Sequence, residues 1–423
     1  MNDEKLIPKL RFNGFDNEWE SFKLTEISER ITRKNKSLET DRPLTISAQY
    51  GLVDQIEFFN KIVASKSLKG YYLLKNGEFA YNKSYSNGYP FGAVKRLDKY
   101  ENGAISTLYI CFKVNDKMNS DLMKEYFETD KWYKEIYKIA VKGARNHGLL
   151  NIAVGDFFNT KHILPTNRDE QEKIANFLIE INKKIDLLEN KLLNYQNFKK
   201  YLMHQIFAQK LRFNFSDEWK IVKLESLIKK GKAGGTPSST NSDYYNGDIP
   251  FLSIRDMTEQ GKYILKTEKT ITEEGLNNSS AWIIPKNSLL YSIYASIGLV
   301  AINRSDISTS QAIYGIILKE GVSLEYMYYY LTYFKKNIHK YIETGTQGNL
   351  NAKLLKSFEI LLPSLEEQEM IVNVLSIVDE KIENSKKEIE KINEFKKGLL
   401  QQMFNNVRLV VINLIINEYI CPL

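Results

Sequence analysis

The chain has 423 residues, of which 43% are hydrophobic and 26% are charged, an ordinary balance for two or three globular domains. Its formal net charge of +7 permits a nucleic-acid partner without requiring one. Two cysteines, Cys111 and Cys421, are too few for a disulfide framework or a thiolate metal cluster. The N-terminus is charged and lacks the apolar core of a signal peptide, and no membrane span is expected, so the expected location is the cytoplasm.

The chain opens with a segment that it later repeats. Residues 8–27 (PKLRFNGFDNEWESFKLTEI) predict a short strand, a turn and the start of a helix. Residues 209–228 (QKLRFNFSDEWKIVKLESLI) repeat the same pattern with one residue fewer between the phenylalanine and the tryptophan. We call these two stretches the opening segments, and their similarity indicates an internal duplication.

A globular region follows each opening segment. The two regions differ in sequence but keep common landmarks, among them Tyr81 against Tyr291 and Ile105-Ser106-Thr107 against Ile307-Ser308-Thr309. Short β-rich runs such as 108–114 and 312–318 alternate with glycine- and asparagine-containing turns. One helix is predicted in each region, near 120–142 and 323–343, and each begins at a serine suited to N-capping.

Each globular region leads into a long apolar heptad repeat with charged flanks. Over 168–207, steps of three and four residues separate the apolar positions, which is the pattern of a long coiled-coil helix. The same seam returns 197 positions later, after the same Leu-Pro and Glu-Gln-Glu motifs. The seam residues are Ile174, Leu178, Ile181, Ile185, Leu188, Leu192, Tyr195, Leu202 and Ile206, and then Ile371, Leu375, Val378, Ile382, Ile389, Ile392, Leu399 and Met403.

These elements predict an α+β fold with two globular domains separated by a pair of long helices. The predicted segments are 1–162, the helix 163–208, 209–360 and the helix 361–404. The second helix can bury its seam only by running back along the first, so an antiparallel coiled coil and a cyclic, pseudo-twofold layout are expected. Residues 405–423 have no counterpart after the first helix and are expected to be a disordered or loosely docked extension.

The common catalytic motifs are missing from the sequence. It contains no phosphate-binding P-loop, no His-Glu-x-x-His and no Cys-x-x-Cys, and no proline follows the Asn-Pro-Pro or Asp-Pro-Pro pattern of amino-methyltransferases. Asp217-Glu218-Trp219-Lys220 superficially resembles part of a nuclease site, but its duplicate ends in Glu20, and a packed tryptophan explains both. The four histidines lack ligand spacing. The chain is therefore expected to carry out no bond chemistry and to bind no cofactor itself.

Basic and aromatic residues make the first globular region a candidate DNA-binding surface. Residues 61–100 contain eight lysines or arginines against two acids, interleaved with aromatic rings. Lysines then recur at steps of three or four on the predicted helix, before a polar loop. The candidates are Lys83, Tyr85, Tyr89, Lys95, Arg96, Lys131, Lys134, Lys138, Lys142, Arg145, Asn146 and His147. The alternatives are a core role for the aromatic residues and a merely solvated basic face.

The second globular region offers a different set of polar side chains on the same predicted frame. Its candidates are Thr236, Ser238, Ser239, Tyr244, Tyr245, Arg255, Tyr294, Arg304, Thr346, Gln347 and Asn349. Arginine or lysine can pair with guanine edges, and asparagine or glutamine with adenine edges. Two similar frames with different loops suit the recognition of two different short sequences on one DNA duplex, with the helices fixing their spacing.

Taken together, these motifs resemble the specificity (S) subunits of bacterial Type I restriction–modification enzymes over residues 6–404. The resemblance rests on both opening segments, on YNKSYSNGYPFGAVKRL at 81–97, on GGTPS and YYNGDIPFLSIRDM within 234–257, and on the Leu-Pro and Glu-Gln-Glu motifs before each heptad helix. It implies two target-recognition domains that bind a split, asymmetric double-stranded DNA sequence. It also implies two modification (methyltransferase) subunits that hold S-adenosylmethionine, and restriction subunits that use ATP and Mg for translocation and cleavage. The 405–423 tail departs from the family pattern.

Two other functions remain open from the residues alone. One is a coiled-coil scaffold that organises proteins without touching DNA, and the other is a self-sufficient nuclease or methyltransferase. The charged flanks of the heptad helices are equally open, either as solvated surface or as the docking face for modification subunits.

Overall fold

The computed structural model describes residues 6–61, 64–65, 67–85, 88–140, 150–294, 296–340, 350–405 and 410–411. The chain forms two compact units, one made of Met1–Glu189 with Lys387–Leu423 and the other of Asn190–Lys386. Each unit therefore contains one globular region and one stretch of each long helix.

The first half of the chain is a mixed α+β region that ends in a long helix. Its strands are β1 (Leu10–Arg11), β2 (Glu20–Lys23), β3 (Ser28–Arg30), β4 (Pro43–Ser47), β5 (Gly51–Asp54), β6 (Tyr72–Lys75), β7 (Phe79–Asn82), β8 (Ala93–Arg96), β9 (Asn102–Ile105), β10 (Ile110–Val114) and β11 (Lys161–Leu164). Its helices are α1 (Leu24–Ile27), α2 (Gln55–Phe59), α3 (Ser120–Tyr126), α4 (Tyr133–Ala140), α5 (Val154–Phe158) and the long α6 (Arg168–Phe207). The sheets have the orders β3-β10-β7-β8, β5-β4-β9-β6 and β11-β2.

The second half repeats this arrangement. Its strands are β12 (Lys220–Lys223), β13 (Ile228–Ala233), β14 (Tyr245–Leu252), β15 (Tyr263–Ile264), β16 (Lys269–Ile271), β17 (Leu289–Ser292), β18 (Val300–Asn303), β19 (Ser308–Thr309), β20 (Ile313–Leu318) and β21 (Glu359–Leu362). Its helices are α7 (Leu224–Leu227), α8 (Ile254–Gln260), α9 (Glu273–Asn277), α10 (Leu324–Phe334), α11 (Ala352–Lys356) and the long α12 (Leu365–Met403), with 3-10 turns at Ser242–Tyr244 and Lys335–Lys340. The sheets have the orders β13-β20-β17-β18-β15, β16-β14-β19 and β12-β21.

Both units share a four-stranded antiparallel core. The order β3-β10-β7-β8 in the first unit corresponds to β13-β20-β17-β18 in the second. The landmark tyrosines occupy the same place in this core, since Tyr81 on β7 pairs with β10 and Tyr291 on β17 pairs with β20. Both tyrosine side chains are fully buried. The predicted α+β duplication is therefore confirmed at the level of strand order.

The two long helices are also confirmed. In the first unit, Ile174 and Leu178 of α6 share a core with Leu399 and Met403 of α12. In the second, Ile206 near the end of α6 shares a core with Ile371 near the start of α12. Within each unit the start of one helix therefore packs beside the end of the other, as an antiparallel pair requires.

Each opening segment connects its globular region to a long helix through an arginine–glutamate ion pair. The buried guanidinium of Arg11 donates to both carboxylate oxygens of Glu170, at 2.7 and 2.8 Å, and the Trp19 indole donates to the same carboxylate at 3.3 Å. We call this group the first clasp. The second clasp is Arg212, Trp219 and Glu367, with the closest contacts at 2.9 Å. These clasps explain why the opening segments and the Glu-Gln-Glu motifs occur together.

One helix expectation is wrong. The region predicted as a single helix over 120–142 is broken into α3 and α4, because the chain turns after Phe127. The Trp132 indole donates to the Phe127 carbonyl at 3.1 Å, which stabilises the turn. Lys131 lies in this turn, so the predicted lysine stripe does not lie along one helix. Asn119, not Ser120, caps α3, since its side chain accepts hydrogen bonds from two backbone amides.

The corresponding helix of the second unit follows the sequence more closely. Ser323 caps α10 by accepting a hydrogen bond from the Tyr326 amide at 3.3 Å, as predicted. The α-helix ends at Phe334 and continues as the 3-10 turn, so it is shorter than expected, and 341–343 lie outside the described residues. In the tail, β22 (Val410–Val411) pairs parallel with β1, while 406–409 and 412–423 lie outside the described residues.

Candidate nucleic-acid interface

Several loops of the second unit meet at one end of its central sheet. Strands β13 and β17 end here and β20 begins here, because β20 runs antiparallel to both. The Gly234 amide donates to the Ile313 carbonyl at 2.9 Å, the Gly235 amide to Thr309 at 3.0 Å, and the Ile293 amide to Ala312 at 2.9 Å. We call the described parts of this surface, 234–240, 293–294, 296–299, 309–312 and 350–351, the second loop end.

Close backbone packing explains the Gly-Gly of the predicted GGTPS motif. A Cβ atom on Gly234 would lie 2.2 Å from the Thr309 carbonyl oxygen, and one on Gly235 would lie 2.4 Å from the Ala281 amide nitrogen. Only glycine fits at such distances from backbone atoms. The two glycines thus hold the following polar loop against the sheet.

The second loop end brings together several of the predicted contacts. Thr236, Ser238 and Ser239 are exposed on the loop, and the Tyr245 hydroxyl donates to the Pro237 carbonyl at 2.7 Å. Tyr294, 42% exposed, follows β17 at the same end. The predicted Thr346, Gln347 and Asn349 lie outside the described residues. The Leu350 amide donates to the Ile293 carbonyl at 3.1 Å, so Leu350 lies at this surface.

Three lysines that the sequence reasoning missed also reach this end. Lys232 pairs with Gly315 on β20, the Lys335 side chain lies beside Gly298, and Lys353 lies beside Tyr314. All three are exposed, and in the part of the chain that the structure describes no carboxylate forms an ion pair with any of them. Of the three, only Lys232 could have been predicted from the sequence, because it stands in the basic run IKKGKA directly before the two glycines.

Three other predicted residues of the second unit lie away from this cluster. Arg304 follows β18 at the opposite end of the sheet, where it donates to the Asn287 side chain at 2.8 Å and stacks on the Tyr263 ring at 4.0 Å. Arg255 on α8 is 69% exposed and pairs with Glu259 at 2.8 Å. Tyr244 is half-buried in the 3-10 turn. Their roles as DNA contacts stay predictions.

The first unit has an equivalent surface at the same end of its sheet. The Leu150 amide donates to the Lys83 carbonyl at 3.0 Å, which matches the Leu350–Ile293 contact of the second unit. We call the described parts, 31–33, 83–85, 88–91, 106–109 and 150–151, the first loop end. Tyr85 is 61% exposed here and Tyr89 is half-buried. Leu108, 68% exposed in the turn before β10, gave no sequence signal.

Helix α4 lies beside the first loop end. The Phe91 ring contacts Tyr133 at 5.4 Å and Tyr137 at 6.1 Å between ring centroids. Tyr137 is 58% exposed and was missed by the sequence reasoning. Burial first, then the negative charges around it, raises the pKa of Tyr133 to about 12, so its phenol is neutral at pH 7.

The predicted lysine stripe is only partly available in this arrangement. Lys134 is exposed and has no ion-pair partner among the described residues. Lys138 forms an ion pair with Glu135, and Lys131 lies 3.6 Å from Asp130. Both pairs are partly exposed, and pairs of this kind are weak enough for a phosphate to replace the carboxylate. The rest of the predicted stripe, Lys142, Arg145, Asn146 and His147, lies outside the described residues.

Lys95 and Arg96 form ion pairs within the first unit. The largely buried Lys95 ammonium lies 2.6 Å from the Glu128 carboxylate. Arg96 pairs with Asp98 at 2.6 Å and Asp121 at 2.8 Å. Burial alone would lower the pKa of Arg96, but these two carboxylates raise it. The structure therefore gives both cations structural partners, and DNA contact by either stays a prediction.

Neither unit shows a catalytic metal centre in its described part. Among these residues, no group of three or more His, Cys, Asp or Glu side chains is arranged to hold a metal ion. His162 is buried between the Tyr126 and Thr160 hydroxyls, at 3.0 and 2.8 Å, where it has a structural role. Over the described ranges, no helix is both long and apolar enough to span a membrane.

Comparison with known proteins finds similarity to one group of DNA specificity subunits. Residues 216–394 match the family described as "Type I restriction modification DNA specificity domain". The chain is 35% identical to the Type I restriction enzyme MjaIX specificity subunit of Methanocaldococcus jannaschii, over 45% of this chain and 43% of that protein. Over these stretches the chain is similar to Type I specificity subunits. It is also 32% identical to the HindI specificity subunit of Haemophilus influenzae, over 41% of this chain and 38% of that protein.

The likeness of fold to specificity subunits extends over nearly the whole chain. A crystal structure of the Type I restriction–modification S subunit from M. genitalium superposes with a TM-score of 0.55, at 14% identity, over 95% of this chain and 100% of that one. In sequence, by contrast, the chain spans less than half the length of the MjaIX and HindI relatives. The shared fold includes both globular regions and both long helices.

Proposed function

We propose that this chain is the DNA sequence-specificity subunit of a Type I restriction–modification system and that it binds a bipartite, asymmetric target. The observation that carries the proposal is the pair of loop ends. Equivalent ends of equivalent sheets present different side chains, with serines, threonine and tyrosine in the second unit and Lys83, Tyr85 and Leu108 in the first. A shared frame with different loops suits two different half-sites.

Each loop end combines two kinds of DNA contact. In the second unit, the unpaired Lys232, Lys335 and Lys353 suit phosphate binding, and the hydroxyls of 236–239 suit base edges. In the first unit, Lys134 suits phosphate, while the exposed Tyr85 and Tyr137 offer rings and hydroxyls. Phosphate contacts fix the orientation of the protein, and the loops supply the specificity.

We further propose that the long helices bind two modification subunits. Large apolar side chains remain exposed along them in the second unit, on α6 at Leu193, Phe198 and Tyr201 and on α12 at Met370 and Ile377. Contiguous exposed apolar surface is typical of protein-binding sites, so these side chains are our candidates for the contact. These side chains would also suit a scaffold that does not bind DNA. Such a scaffold, however, has no need for the loop-end lysines that lack a carboxylate partner among the described residues.

The bond chemistry belongs to the partners in this proposal. S-adenosylmethionine would be held by the modification subunits, and ATP and Mg by the restriction subunits, with the assembly acting on DNA in the cytoplasm. This chain would bind none of these cofactors. Methylation or cleavage by the purified chain, supplied with cofactors, would contradict this division of labour.

The test is genome-wide mapping of modified bases in cells that express the chain with its modification subunit. We expect a bipartite methylated motif that disappears when the chain is deleted. Replacing Thr236, Ser238 and Ser239 by alanine should relax one half of the motif and leave the other half unchanged, so the second half serves as the internal control. Simultaneous loss of both halves at normal protein levels would contradict the assignment of one half-site to each unit.

A further inference from the structure

In the first unit, three polar residues join the globular region to both long helices. The Asn182 amide on α6 donates to Glu125 on α3 at 2.7 Å, and the Lys396 ammonium on α12 donates to the Asn182 oxygen at 2.6 Å. Lys396 also lies 2.9 Å from the second Glu125 oxygen, as an ion pair without a well-aligned hydrogen bond. Glu125 is 2% exposed. We call Glu125, Asn182 and Lys396 the first node.

A second node stands at the same place in the second unit. The Tyr329 hydroxyl on α10 donates to Asp379 on α12 at 2.6 Å, and Lys199 on α6 pairs with the same carboxylate at 2.5 Å. Lys262 adds another ammonium, 2.8 Å from the Tyr329 hydroxyl and 3.9 Å from Asp379. The second node is Tyr329, Asp379, Lys199 and Lys262.

The two nodes correspond residue by residue. Asn182 and Asp379 both lie twelve residues after the clasp glutamates Glu170 and Glu367, and Lys199 and Lys396 both lie twenty-nine residues after them. Glu125 and Tyr329 both lie six residues after the N-caps of their helices, Asn119 and Ser323. The side chains of Gln171 and Gln368 accept from these two N-cap amides, each at 2.8 Å, which fixes the correspondence.

The carboxylate has changed sides between the two nodes. In the first it stands on the globular region, as Glu125, and the long helix offers the neutral Asn182. In the second it stands on the long helix, as Asp379, and the globular region offers the neutral Tyr329. Exchanging the globular regions would therefore place Glu125 against Asp379 in one node. In the other it would leave Lys262 and Lys396 without a carboxylate.

We propose that the two nodes determine which globular region packs on which stretch of the helix pair. The Glu125 carboxylate of the first node is buried, while the charged side chains of the second node are 13–26% exposed. An uncompensated charge at such buried or partly buried positions is destabilising, whereas a matched cluster is tolerated. Because the carboxylate lies on opposite sides in the two nodes, each stretch of the helix pair packs favourably with its own globular region. It packs unfavourably with the other globular region. The nodes act in the free chain, whether or not the loop ends bind DNA.

A double-mutant cycle in the full-length chain tests this directly. Glu125→Gln removes the carboxylate, Asn182→Asp adds one, and the double variant moves it to the helix, where the second unit has it. All three changes keep the side-chain volumes. We expect each single variant to lower the midpoint of thermal unfolding by about 5 °C and the double variant to recover most of that loss. A double variant whose loss equals the sum of the single losses would overturn the proposal.

A chain with exchanged globular regions provides the second test. Two versions with 8–162 and 209–360 exchanged would be compared, one with the natural helices and one that also carries Asn182→Asp and Asp379→Asn. The second version restores a matched node in each unit, so it should unfold at a temperature at least about 5 °C higher. Equal midpoints would overturn the proposal, since the node residues would then not select the globular region.

Discussion

At the scale of single residues, the two clasps contain the same residue types but differ in how deeply the arginine is buried. In the first clasp the Arg11 side chain is 4% exposed and Glu170 is 1% exposed. In the second, Arg212 is 25% exposed against a fully buried Glu367. Water can therefore solvate the second arginine when its partner is lost, but not the first.

Glu170→Gln should consequently destabilise the protein more than Glu367→Gln. The first change leaves a buried guanidinium without a counter-charge, for which a loss of about 3–5 kcal/mol is expected. The matched change in the second clasp should cost roughly half of that, because Arg212 remains partly hydrated. Urea unfolding of the full-length chain would measure both values. Equal losses would show that exposure of the arginine does not control the difference.

His162 gives the first unit a defined pH dependence. Burial lowers its pKa from 6.5 to about 4, and the nearby Glu135 charge opposes that shift only in part. The imidazole is therefore neutral in the folded protein, while the unfolded chain takes up a proton below pH 6.5. Its contribution is present above pH 6.5 and is lost as the pH falls toward 4, about 3 kcal/mol in total.

His162→Gln should remove this part of the pH dependence. The variant is expected to have a flatter profile of unfolding free energy between pH 6.5 and 4, whatever its stability at pH 7. His339→Gln is the control, because His339 is exposed and its substitution should leave the profile unchanged. Parallel profiles for His162→Gln and the natural chain would contradict the role of the buried imidazole.

At the scale of elements, the sequence predicted the helices whose apolar residues recur at regular spacing along the chain. The heptad seam predicted the long helix α6, because a long amphipathic helix is determined by its own spacing. The helix begins at Arg168, later than the predicted 163, since Ile163 and Leu164 belong to β11. It did not show the break between α3 and α4, where the lysine spacing was helical but Trp132 anchors a turn through a tertiary contact. Lys335 and Lys353 were missed for a related reason, since only the tertiary fold brings them beside Gly298 and Tyr314.

The glycines of the second loop end offer a test at this scale. Gly234→Ala would place its Cβ against the Thr309 carbonyl, so a loss of about 1–3 kcal/mol and displacement of the 236–239 loop are expected. Gly398→Ala is the matched control, because nothing lies within 4 Å of its added Cβ on α12. It should be neutral or should stabilise by up to about 1 kcal/mol. Thermal unfolding measures both, and a harmless Gly234→Ala would contradict the close packing.

At the scale of the whole molecule, the weak net charge conceals a local distribution. The chain carries 59 basic and 52 acidic residues, so net charge alone cannot direct DNA binding. Many of these charges neutralise each other inside the units, as Lys95 and Glu128 do in the first. The loop-end lysines that have no carboxylate partner among the described residues are the ones available to phosphates. A DNA-binding surface is thus expected where lysines are not neutralised by carboxylates of their own unit.

This distribution predicts how salt affects DNA binding by the chain, alone or with its modification subunits. Each phosphate contact releases counterions and adds about 0.9 to the slope of log affinity against log salt. Lys232→Ala with Lys353→Ala should therefore lower the slope by up to about 1.8, and a similar reduction is expected for Lys83→Ala with Lys134→Ala in the first unit. Lys286→Ala, at the opposite end of the second sheet, is the control and should leave the slope unchanged. If the two pairs of lysines act on separate half-sites, the reductions in slope should add in the quadruple variant. An unchanged slope in either double variant would show that its loop end does not contact the DNA.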